Sequence, residues 1–83
     1  MKLLYGGKNM EDKLIEIIAN ELGVEKKAIN LETEIGGIPE WDSLHNVQVF
    51  GAIEIAFEIE IQSEQIMDLE TVKDILEFLE AIK

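Results

Sequence analysis

Cysteine is missing altogether, and histidine occurs once, at His45. Without thiols there is no disulfide framework of the kind that staples small secreted folds, and no thiolate zinc site can form. A reducing compartment fits, and the expectation is a cytosolic protein. Long uncharged apolar runs are also missing, because Gln48, Glu54, Glu58 and Glu60 interrupt the longest candidate. No segment is therefore expected to span a membrane. The opening "MKLLYGGKNM" has only a short apolar run before Gly6 and Gly7, too little for the central region of a signal peptide. Positive charge is scarce: 7 basic residues stand against 18 acidic ones, a net charge of −11. Nucleic acid would be repelled, so basic protein surfaces are the natural counterparts, drawn in by an attraction that salt weakens.

What remains is apolar and helical. A hydrophobic content of 47% is too high for a disordered acidic tail, and 83 residues hold one small core. A chain of this size buries only about 60–65% of its unfolded surface, so modest stability is expected. Residues 1–9 read as an extension and residues 10–83 as the domain. Asn9 is a cap candidate, followed by Glu11 and Asp12 where the helix dipole favours acids. Leu14, Ile17, Ile18 and Leu22 make one apolar stripe, and Gly23 is the expected stop. Residues 24–42 have no sustained period. Ile29, Leu31 and Ile35 are spaced to pin this stretch to a core, with Gly36, Gly37 and Pro39 as punctuation.

A second helix is expected from Asp42 or Ser43 to about Glu58, with Val47, Phe50, Ile53 and Phe57 facing the core. In "AIEIAFEIEIQ" isoleucine and phenylalanine also alternate with glutamate, but one such strand would have no partner in so short a chain. Ser63 is expected to cap a short turn carrying Ile66, Met67 and Leu69. Thr71 and Asp74 resemble a capping box, and Val72, Ile75, Leu76, Leu79 and Ile82 form the last core stripe. The fold class is all-α, a small four-helix bundle of three main helices and one short one.

Ser43, in "PEWDSLHNV", poses the functional question. As a nucleophile it needs a base within reach, but His45 lies two positions on, where helical geometry turns the two side chains apart. No "GxSxG" elbow surrounds it, and the carboxylates match no calcium-loop spacing, so neither hydrolysis nor a metal site is expected. As a cap it is redundant, because Asp42 serves equally well. That frees the hydroxyl at a helix N-terminus, where backbone N–H groups favour an anion such as a phosphodiester, although the Asp42 charge opposes it.

Together "ELGV" ending the first helix, "DSL" (Asp42, Ser43, Leu44) opening the second, "AIEIAFEIEI" and "TVKDILEFL" resemble the acyl carrier protein family over roughly residues 10–83. The resemblance implies a carrier rather than an enzyme. Ser43 would bear covalent 4′-phosphopantetheine from coenzyme A, whose thiol holds acyl groups as thioesters. It also implies a phosphopantetheinyl transferase as partner, with Asp42 assisting the transferase's magnesium and Leu44 part of the surface it grips. An acyl-loading ligase or acyltransferase and downstream acyl-using enzymes would follow, the carrier itself being a monomer.

The sequence departs from the family where acids usually line the second helix. Leu44, Gln48, Gly51 and Ile55 share one helical face as the expected docking surface. His45 and Gln48 stand where acids are common, and Ile55 interrupts the usual acidic run before Phe57. A neutral docking face depends on burial more than on charge steering. The expectation is thus a specialised carrier rather than the general one of fatty-acid synthesis. A peptidyl or aminoacyl carrier, or an acidic interaction domain with no prosthetic group, are the alternatives. Trp41 can shield the arm, touch a partner or anchor the preceding loop, and burial of so large a ring favours anchoring.

Overall fold

The computed structural model describes residues 9–82; residues 1–8, most of the expected extension, lie outside the described part. Among the described residues there are four α-helices: α1 (Met10–Leu22), α2 (Ser43–Phe57), α3 (Ser63–Met67) and α4 (Val72–Ile82), with a 3-10 turn at Lys26–Ala28 after α1. None of these helices is long and apolar enough to cross a membrane.

Helix ends follow local chemistry. The N–H of Asp12 donates to Asn9 Oδ1 at 2.8 Å, and Gly23 takes a left-handed conformation, φ 72°, to close α1. At α4 the reciprocal box is formed: the N–H of Asp74 donates to Thr71 Oγ1, and Asp74 Oδ2 accepts from the N–H groups of Glu70 and Thr71. The cap of α3 is one residue earlier than expected. Gln62 holds that position and its N–H donates to Gln65 Oε1 at 2.8 Å, leaving Ser63 as the first helical residue.

The core is one cluster. Leu14, Ile17, Ile18, Ala19 and Leu22 from α1 meet Val49, Phe50, Ile53 and Phe57 from α2 and Val72, Ile75, Leu76 and Leu79 from α4. Ile29, Trp41 and Ile61 fill it from the loops. Two expected core residues are not in it. Val47 is 71% exposed and Val49 is buried in its place, and Ile82 is 48% exposed at the end of α4. Val47 and Val49 lie about 200° apart on a helix, so burying one exposes the other.

The loop between α1 and α2 is ordered by backbone pairing. The N–H of Ile35 donates to the Glu70 carbonyl, while those of Val72 and Lys73 donate to the carbonyls of Thr33 and Leu31, each at 2.9 Å. The loop is thereby stitched to the start of α4. It then turns sharply at Gly37, whose N–H donates to the Glu34 carbonyl at 2.8 Å; an added Cβ there would meet that same oxygen at 2.9 Å.

Helix α2 ends less comfortably. Glu58 closes it with φ 58° and ψ 51°, the one non-glycine residue with positive φ among the described residues. A side chain in this region crowds the following carbonyl and costs about 1 kcal/mol. Glu58→Gly is therefore expected to raise stability by up to about 1 kcal/mol, read as a higher urea midpoint with an unchanged slope.

Candidate functional site

Three features deliver Ser43 to the surface. Trp41, only 2% exposed, is driven into the core and anchors the loop, as its size suggested. Its indole N–H donates to Asn46 Oδ1 at 2.9 Å, which ties the incoming chain to the first turns of α2. Asp42 then supplies the cap: its Oδ1 accepts from the N–H of His45 at 2.9 Å, and its carbonyl accepts from the N–H of Asn46 at 2.8 Å. Ser43 follows as the first helical residue, exposed, and its hydroxyl makes no hydrogen bond to any described residue.

The imidazole of His45 turns toward Asp42 rather than Ser43. Its Nδ1 lies 2.8 Å from Asp42 Oδ1, the oxygen that also accepts the His45 N–H. The backbone N–H of His45, and after it the imidazole, hold the Asp42 carboxyl below its ordinary value of 3.8. The cap's contribution is thus fully present above that ordinary value and is lost only as pH falls through the lowered one. No base is directed at the Ser43 hydroxyl by this arrangement. The Asp42–His45 contact was absent from the sequence reading, although their separation of three residues is the spacing at which helical side chains meet.

The first turn of α2 is suited to an anion. The backbone N–H groups of Ser43 and Leu44 make no hydrogen bond to any described residue, and both side chains are exposed. Unpaired N–H groups beside a free hydroxyl accommodate a phosphodiester on that hydroxyl, and Leu44, 64% exposed, flanks it. Along the same helix Gln48 and Ile55 are exposed, with Gly51 between them half-buried. Glu54, the one acid in α2, is turned back: its Oε2 accepts from the N–H of Ile61 at 2.8 Å, bracing the turn into α3. That bracing had no signal in the sequence, since it joins residues seven apart across a change of direction.

Comparison with known proteins places this geometry. Residues 12–79 match the family described as phosphopantetheine attachment site. The chain belongs to the acyl carrier protein family. An acyl carrier protein of Syntrophobacter fumaroxidans is 41% identical over 70 residues, covering 84% of this carrier and 86% of the relative. One from Streptococcus pyogenes is also 41% identical, over 83% of this carrier and 89% of the relative. Another, from Phaeodactylum tricornutum, is 34% identical, over 82% and 90% respectively. The prosthetic group of this carrier is accordingly a covalently attached 4′-phosphopantetheine. The structure fits it, offering a free surface hydroxyl beside unpaired backbone donors in a chain that has no thiol of its own.

Proposed function

We propose that Ser43 is the attachment residue, and that the chain is a specialised carrier of acyl groups served by a dedicated ligase or acyltransferase. One observation carries the assignment: Asp42 occupies the cap position of α2, so the Ser43 hydroxyl stays exposed and unbonded where two backbone N–H groups face an incoming phosphate. Once attached, the arm supplies the thiol on which an acyl group is held as a thioester. The protein's own part is to present that arm on a rigid helix end. Asp42 stays ionised beside the hydroxyl and suits the transferase's magnesium, while Leu44 offers an apolar grip one residue on.

In attachment, Ser43 Oγ attacks the β-phosphorus of coenzyme A. A new P–O bond forms, the pyrophosphate P–O bond breaks, adenosine 3′,5′-bisphosphate leaves, and the hydroxyl proton passes to the transferase's base. The specialised role is supported by α2 itself, where Gln48 and Ile55 replace acids common in the family and Glu54 is engaged with Ile61.

Incubation with coenzyme A, magnesium and a broad-specificity phosphopantetheinyl transferase tests the assignment by intact mass. The expected result is a gain of one phosphopantetheinyl group on the wild-type chain and none on Ser43→Ala. A gain that survives the substitution places the arm elsewhere, and no gain on either chain removes the carrier function.

A further inference from the structure

The two carboxylate oxygens of Asp42 are used unequally at the mouth of α2. Oδ1 accepts from the backbone N–H of His45 at 2.9 Å and faces the ring of the same residue, whose Nδ1 lies 2.8 Å away. Oδ2 makes no hydrogen bond to any described residue. A carboxylate oxygen has two lone-pair sites, so these two donors fill Oδ1 and leave Oδ2 open. The Asp42 side chain is 59% exposed against 36% for His45, which leaves the carboxylate accessible to an ion carried by a partner.

The chemistry of the pair fixes the proton. The backbone N–H of His45, and then its ring, hold the carboxyl below its ordinary value, so near neutrality it is ionised and only accepts. The ring nitrogen facing it therefore carries the hydrogen, which in a neutral imidazole selects the Nδ1–H tautomer. Magnesium tolerates little distortion of its octahedron. A carboxylate that offers one oxygen in a fixed place suits it better than one that turns freely. We propose that His45 is a positioning residue for phosphopantetheine transfer: its ring fills Oδ1 and leaves Asp42 to meet the transferase's magnesium through Oδ2 alone. This rests on the Ser43 and Asp42 assignments made above. The single histidine, turned away from Ser43, thereby acts on the same reaction through its neighbour.

The chain alone gives the first readout. At about pH 8.5, where imidazoles are neutral, long-range proton–nitrogen spectra are expected to show His45 in the Nδ1–H form. In Asp42→Ala the ring is expected to revert to the commoner Nε2–H form. The second readout is the magnesium dependence of arm transfer from coenzyme A. His45→Ala is expected to raise the magnesium concentration for half-maximal rate about three- to tenfold, with the KM for the carrier within about twofold. His45→Asn, whose amide nitrogen takes the place of Nδ1, is expected to bring that concentration back to within about twofold of wild type. A side chain that only supported the helix or touched the transferase would alter circular dichroism or KM and leave the magnesium dependence unmoved. The Nε2–H form in the wild-type chain, an unchanged magnesium dependence in His45→Ala, or a His45→Asn as impaired as His45→Ala each overturns the proposal. No transfer to the wild-type chain removes the Ser43 assignment and this proposal together, whereas transfer with any of those three outcomes removes this proposal alone.

Discussion

Val49→Asp is expected to leave the chain unfolded, while Val47→Asp, two residues away, leaves it folded with stability changed by no more than about 0.5 kcal/mol. Val49 has no exposed surface and sits among the side chains shared by α1, α2 and α4. A carboxylate there loses its hydration, and no buried polar side chain lies nearby to compensate it. The cost, about 5 kcal/mol or more, matches the whole stability of a domain this small. Val47 projects into water, where a carboxylate is solvated at little cost. Far-ultraviolet circular dichroism of the two variants reads the contrast directly. A folded Val49→Asp, or an unfolded Val47→Asp, would mean that α2 is rotated from the orientation described.

The second large effect belongs to Trp41. Trp41→Ala is expected to lower stability by about 3–5 kcal/mol, because it empties an aromatic-sized space in the core where residues 36–41 are fastened. Trp41→Phe retains most of the burial but removes the indole N–H, so the partly buried Asn46 Oδ1 loses its donor. A smaller loss of about 1–3 kcal/mol is expected. Urea titration followed by circular dichroism ranks the three proteins, and equal midpoints for wild type and Trp41→Phe would show that the indole–amide bond contributes nothing. The consequence reaches the site, because Trp41 and Asn46 bracket Ser43 on either side. Loosening that bracket is expected to slow arm transfer even where the domain remains folded.

Both predictions turn on α2, where the sequence is least decisive. Apolar residues occur on every side of this helix: Leu44, Val47, Val49, Phe50, Ile53, Ile55 and Phe57. A stripe drawn through Val47 was as regular as the buried one through Val49, Ile53 and Phe57. Helices α1 and α4 present no such choice, since acids and amides mark their wet sides and one stripe is left to bury. In α4 that stripe simply ran one residue too far, to Ile82, where the helix passes beyond the core.

The sequence by itself determined what depends on neighbours a few residues apart. Asn9, Gly23, Asp42 and the Thr71–Asp74 pair set helix ends through bonds spanning three or four positions, and the freedom of the Ser43 hydroxyl follows from having Asp42 before it. Tertiary structure alone decided which side of α2 faces α1, because packing selects among apolar faces that the helical period leaves equivalent. It also decided that Glu54 reaches back to Ile61 and that residues 31–35 pair with residues 70–73. Backbone N–H and C=O groups are the same in every residue but proline, so such pairings leave no mark on composition or spacing.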